Sequence, residues 1–155
     1  QTKIGYYQGD PLKLTEDCAL LKPGLFPSVP RFLTGFMEKF KELNELTGCA
    51  GWIARRGVEV KLAQLRQNGA ATDGCYDAIV FKKMQALLGG NVRFMITASA
   101  PIEPDVMELL KICFCCTFIE GYGLTETSGG ASVSWPNDPV VGHVGGPLPC
   151  VKWRL

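Results

Sequence analysis

Between Phe32 and Leu46 the apolar residues Phe32, Leu33, Phe36, Met37, Phe40, Leu43 and Leu46 recur every three or four positions, and Glu38, Lys39, Lys41, Glu42 and Glu45 fill the other face. That period predicts an amphipathic helix laid on a core and stopped at Gly48. A second helix from Gly51 to about Gln67 is less cleanly divided. It has Trp52, Val58, Leu62 and Leu65 inward, Arg55, Arg56, Lys61 and Arg66 outward, and an end at Asn68-Gly69. A third is marked by Tyr76, Ile79, Val80, Met84, Leu87 and Leu88 and closes at Gly89-Gly90, with Lys82 and Lys83 on its solvated face. Upstream, Gly9-Asp10-Pro11 reads as a turn, and Lys22 to Pro30 as a short extended piece bounded by prolines.

The period then changes. Val92-Arg93-Phe94-Met95-Ile96-Thr97 has the length and the β-branched and aromatic content of a buried strand, followed by the small-residue turn Ala98-Ser99-Ala100-Pro101. Pro104 suits a first helical position, Glu103 and Asp105 suit the helix dipole, and Val106, Leu109, Leu110 and Cys113 supply an apolar stripe. Cys116-Thr117-Phe118-Ile119 is a second buried strand. Strand, turn, helix and strand form a βαβ unit, so the two strands are expected to be parallel neighbours with both carboxyl ends on one sheet edge. Residues 98–101 and 120–126 then face one site, where open α/β sheets bind ligands. Beyond Ser128 the chain turns to Gly, Pro and Val, with residues 131–134 and 151–155 as β candidates. The fold class expected is α/β, part of a layered sandwich with a mostly parallel sheet, running into a β-rich piece.

The candidate chemistry sits in Glu120-Gly121-Tyr122-Gly123-Leu124-Thr125-Glu126-Thr127. Gly121 and Gly123 allow close backbone approach, Tyr122 offers a flat face to a base, Thr125 can donate to a phosphate oxygen, and Glu126 can hold a hard divalent cation. The rival reading is a tight turn in which Thr125 and Glu126 only cap the next helical turn.

Length and charge narrow the classes. The chain has 155 residues, 46% hydrophobic and 20% charged, with a net charge of +1, which is globular and gives no field for nucleic acid or an anionic membrane. No apolar stretch approaches the roughly 20 residues that span a bilayer. The opening Gln1-Thr2-Lys3 is no signal peptide. Seven irregularly spaced cysteines suit a reducing, intracellular compartment better than a disulfide framework. Cys113, Cys115 and Cys116 lack a second cysteine pair at zinc-finger spacing and read as small buried apolar residues. His143 reads as a loop residue satisfied by backbone groups rather than as a base.

With these motifs assembled, the sequence resembles the long-chain acyl-CoA synthetases of the adenylate-forming superfamily. The residues that carry the resemblance are Ile4–Asp10, Phe26–Arg31, Thr97–Pro101, Gly121–Glu126 and Gly142–Pro149, in the family's order and at about its spacing. It implies that residues 1–128 are part of the α/β subdomain of a large N-terminal adenylation domain, that 129–155 begin the β-rich segment after it, and that the C-terminal domain is absent. It implies a two-step ligation: a long-chain fatty carboxylate attacks the α-phosphate of ATP to give acyl-adenylate and pyrophosphate, and the thiol of CoA then displaces AMP. Carried over residue by residue, Glu126 would bind Mg2+ and Thr125 the α-phosphate, these two being the catalytic pair. The nucleotide would be held by Ser99, Ala100, Pro101, Glu120, Gly121, Tyr122, Gly123, Leu124 and Thr125, with Tyr122 stacked on adenine. Ala98 and Ser99 stand where the family usually has glycine and alanine. The family's phosphate loop would lie upstream, and its ribose-binding aspartate and mobile lysine downstream. The 155 residues alone are therefore expected to be inactive, and membrane attachment would come only through other segments. Two alternatives stay open: a non-catalytic nucleotide-binding module, and an adenylating enzyme for another carboxylic acid.

Overall fold

The computed structural model describes residues 3–154 and builds its parallel sheet from β1 (Leu25–Ser28), β2 (Phe94–Thr97) and β3 (Thr117–Leu124). Leu25 pairs with Phe94, and Thr97 with Glu120, so the two strands are parallel neighbours as the βαβ reading requires, and β3 runs on past the carboxyl end of β2. The crossover is α7 (Pro104–Phe114), which opens on Pro104 with Asp105 in its first turn and ends on Cys115 in the left-handed region. Its buried residues Met107, Leu110, Ile112 and Phe114 belong to the same hydrophobic core as Met95 and Phe118 of the sheet. Burying each such side chain favours folding by about 2 kcal/mol.

Sheet order is β1-β2-β3-β4-β5, and the second half is antiparallel: β3 pairs with β4 (Gly129–Val133) and β4 with β5 (Gly146–Pro147). One correction follows. Residues 120–124 are not loop but strand, because the backbone of Gly121–Leu124 finds its hydrogen-bonding partner in β4. A second concerns 151–154, which form no strand; the Val151 N–H closes a turn on the Leu148 carbonyl at 2.9 Å. Leu155 and the side chain of Leu43 lie outside the described residues.

The helical layer departs from the sequence pattern in three places. The helix expected over 32–46 is broken at Gly35 into α2 (Pro30–Thr34) and α3 (Phe36–Asn44), since the Gly35 N–H bonds Phe32 three residues back at 3.2 Å rather than continuing the four-residue ladder. Gly48 does not stop that helix; at φ 69° it opens the next one, α4 (Gly48–Asn68).

Along α4 the buried face is Gly51, Ala54, Gly57, Lys61 and Leu65, while Trp52 is 66% exposed. Gly57 permits this because a Cβ there would stand 2.9 Å from the Tyr76 ring. Lys61, expected outside, is fully buried: its ammonium donates to Asp77, to the Ile112 carbonyl at 2.7 Å and to Cys115 Sγ at 3.0 Å, and lies 4.5 Å from the centre of the Phe81 ring.

The third helix is interrupted. It runs as α5 (Gly74–Tyr76), a π-turn over Asp77–Phe81 and α6 (Lys82–Ala86). The wider turn sends Val80 and Phe81 into the core and leaves Ile79, expected inward, 68% exposed. Ahead of these, α1 (Leu14–Leu21) has no clear sequence stripe, and Cys18 is its one buried residue.

Candidate nucleotide and metal site

At the carboxyl ends of β2 and β3 lies an open cleft of about 930 Å³. Ile96 and Ile119, neighbours in the register of the two strands, form its apolar floor. Ala98 and Ser99 wall it from the end of β2, and Gly121 through Glu126 from β3 and the short 3-10 turn Thr125–Thr127 after it. Ser99 takes φ 79°, a left-handed conformation that a serine holds only where its surroundings fix it.

The two glycines of β3 have different reasons to be there. A Cβ on Gly123 would drive into the Gly129 carbonyl of β4, whereas one on Gly121 would meet the Ser132 carbonyl at 3.6 Å and the Thr97 carbonyl at 3.9 Å, both ordinary contacts. Gly123 is thus required by strand pairing, whereas Gly121, which lines the cleft, is not. Tyr122 is 42% exposed on the cleft wall, its ring 6.4 Å from that of Trp153.

The turn after β3 is not capped by the side chains of Thr125 and Glu126. Thr127 does the capping: its hydroxyl accepts the Leu124 N–H at 2.9 Å and donates to the Gly129 carbonyl at 2.7 Å. Thr125 and Glu126 line the cleft and are exposed, and their side chains have no hydrogen-bond or ion-pair partner among the described residues; the Thr125 carbonyl accepts the Ser128 N–H at 3.0 Å. A hydroxyl donor and a carboxylate with no internal task therefore stand next to each other on the cleft wall.

Not every residue of the motif shares that wall. Ala100, Pro101 and Glu120 do not line the cleft. Glu120 is buried, its N–H donating to Ser134 Oγ at 2.9 Å, and burial pushes its carboxyl up from the ordinary value more than the Ile102 N–H and His143 pull it down. His143 also lies outside, with Nδ1 accepting the Gly145 N–H at 3.0 Å and Nε2 3.3 Å from Asp138. Residues that the sequence did not mark as part of the site, Ser128, Gly129, Gly130, Ser132, Val133 and Leu148, complete the lining. Their common signal is the antiparallel pairing of β3 with β4, which a run of glycine and serine does not display.

A divalent cation fits Glu126 chemically. No group of three His, Cys, Asp or Glu side chains that could hold a metal ion occurs among the described residues. A single uncompensated carboxylate suits magnesium, which keeps waters and takes further oxygens from bound phosphates.

A family model described as AMP-binding enzyme matches residues 2–155, and the chain belongs to that family. It is 40% identical over 149 residues to Long-chain-fatty-acid–CoA ligase 1 of Cavia porcellus, an alignment covering 96% of this chain and 21% of that protein. To Long chain acyl-CoA synthetase 7, peroxisomal, of Arabidopsis thaliana it is 39% identical over 155 residues, covering 98% of this chain and 22% of that one. The chain thus spans about a fifth of the length of these curated relatives. The fold is shared with the A domain of carboxylic acid reductase from Segniliparus rugosus, solved with AMP and a co-purified carboxylic acid. Its TM-score is 0.53 at 20% identity, covering 83% of this chain and 17% of that one. An anthranilate CoA ligase in complex with anthranoyl-AMP gives 0.52 at 15% identity, covering 90% and 19%.

Proposed function

We propose that this chain supplies the base-binding and metal-binding wall of an AMP-forming long-chain fatty acid:CoA ligase. The observation that carries the reading is that the side chains of Thr125 and Glu126 line the cleft without an internal partner among the described residues, while Thr127 caps the turn. The full-length relatives, named as long-chain ligases and synthetases, support the substrate class.

Carboxylates resist substitution because oxide is a very poor leaving group, and adenylation replaces it with AMP. In that step Tyr122 presents its ring to adenine opposite Ser99, the Thr125 hydroxyl donates to an α-phosphate oxygen, and the Glu126 carboxylate holds Mg2+. The cation, when bound, neutralises phosphate charge as it builds in the transition state. Gly121, without a side chain, leaves a path for the acyl group. Ala100 and Pro101 support Ser99 from outside the lining, and Glu120 acts through the strand rather than on the nucleotide. Residues 1–155 alone are expected to bind weakly and not to turn over. No helix among the described residues is long and apolar enough to cross a membrane. The peroxisomal label of a relative makes organelle association a property to test on the whole protein.

Calorimetry with a non-hydrolysable acyl-adenylate on the full native polypeptide that carries these residues tests the assignment. Tyr122→Ala is expected to weaken binding at least about tenfold, equivalent to roughly 1.4 kcal/mol. Unchanged affinity in that variant would remove the base-binding role.

A further inference from the structure

A second concavity, sharing no residue with the cleft, runs between α3, α4 and the π-turn with α6 that follows it. It encloses about 470 Å³, within the range of small-molecule sites. Its walls are Leu46, Ile53, Ala54, Val80, Met84 and Leu87, and Ile79 stands exposed at its lip. The π-turn Asp77–Phe81 creates this wall, since the extra residue per turn places Ile79 and Val80 on the groove. Such turns sacrifice regular helical geometry and recur at functional sites.

Three charges border the groove. Lys39 and Glu42 neutralise each other at 3.2 Å. Lys83 is exposed, and its ammonium has no hydrogen-bond or ion-pair partner among the described residues. What remains is an apolar trough with one uncommitted cation at its edge. A neutral hydrocarbon would leave that cation idle, and an acidic hydrophilic ligand would leave the trough unfilled. An alkyl chain ending in an anion satisfies both, and the volume suits one chain.

We propose that this groove binds a single long-chain fatty carboxylate, with its tail along Leu46, Ile53, Val80 and Met84 and its head on Lys83. This site is additional to the carboxylate that the cleft would activate. The assignment stands on the groove's own chemistry and not on the reading of the cleft.

The test is photolabelling of the full native polypeptide with palmitate carrying a diazirine on its tail, followed by mapping of the labelled peptides. Label is expected in peptides spanning residues 46–54 and 79–87. It is expected to fall about fivefold or more in Lys83→Glu, where one exposed charge contact is reversed. A similar fall is expected in Ala50→Trp, where an indole replaces a small exposed residue of the lining. Lys82→Glu, an exposed neighbour outside the lining, is expected to label as the unaltered protein does. The methyl ester is expected to label less than the acid. No label in these peptides, as when another part of the parent chain covers the groove, would overturn the proposal. So would label indifferent to both Lys83→Glu and Ala50→Trp. Cleft peptides are scored separately, so failure at one site is not read as failure at the other.

Discussion

Lys61, in the middle of α4, donates to the carbonyl of Ile112 in the last turn of α7 at 2.7 Å. That carbonyl is among the terminal groups a helix cannot satisfy internally. The same ammonium pairs with Asp77 of the π-turn, so one fully buried charge joins three helical segments behind β3. Replacing it by methionine keeps the apolar stem and removes the cation, leaving Asp77 and Ile112 without it. Lys61→Met is expected to destabilise the native protein by about 3 kcal/mol or more, read as a lower urea midpoint. An unchanged midpoint would show that the buried pair contributes no net stability.

The two glycines of β3 are expected to separate fold from binding. Gly123→Ala forces a methyl group against the Gly129 carbonyl and is expected to cost about 1–3 kcal/mol of stability. Gly121→Ala meets only ordinary contacts and is expected to leave stability within about 1 kcal/mol while narrowing the cleft and weakening acyl-adenylate binding. Thermal unfolding and calorimetry on both variants check the pair. Equal loss of stability would contradict the distinction.

What was legible in the sequence was the parallel βαβ unit, because Val92–Thr97 and Cys116–Ile119 are runs of strand length rich in apolar, β-branched and aromatic residues and the crossover helix carries its own start signals. Motif spacing likewise brought Ser99, Tyr122, Thr125 and Glu126 to one edge. The misread positions depend on contacts or backbone geometry that the apolar pattern does not display. Lys61 reads as solvated until Asp77 and Ile112 arrive, Ile79 follows a helical period that the π-turn breaks, and Gly121–Leu124 look like loop until β4 pairs with them. Even-handed counting of apolar positions along one helix has no access to those contacts.

Glu120 gives the protein a pH dependence with a definite sign. Its folded carboxyl sits above the ordinary value of 4.5, mainly through burial, so the folded state holds the proton more tightly than the unfolded chain. Stability therefore falls as pH rises from near 4.5 through the raised value and levels off above it. Glu120→Gln is expected to abolish that fall, leaving a flatter profile of urea midpoint against pH. A profile unchanged by the substitution would assign the dependence to other groups.

The seven cysteines are expected to divide by environment. Burial pushes the Cys115 thiol up to about 11 and Cys116 to about 12, against the lowering effect of Lys61, and raises Cys113 as well. Cys49, Cys75 and Cys150 are exposed. Alkylation of the native protein near pH 8 is expected to modify those three at least about a hundredfold faster than Cys113, Cys115 and Cys116, since the thiolate is the reacting form. Mass mapping of modified peptides against time reads the outcome, and early modification of Cys116 would contradict the buried placement.

The central claim is that this cleft serves fatty-acid adenylation, and fatty-acid-dependent exchange between pyrophosphate and ATP tests it most directly. The full native polypeptide is expected to exchange label only when a long-chain acid such as palmitate is present, and Glu126→Ala is expected to lower that rate at least about a hundredfold. Absence of exchange with long-chain acids, or a Glu126→Ala variant that exchanges as fast as the unaltered protein, would contradict it.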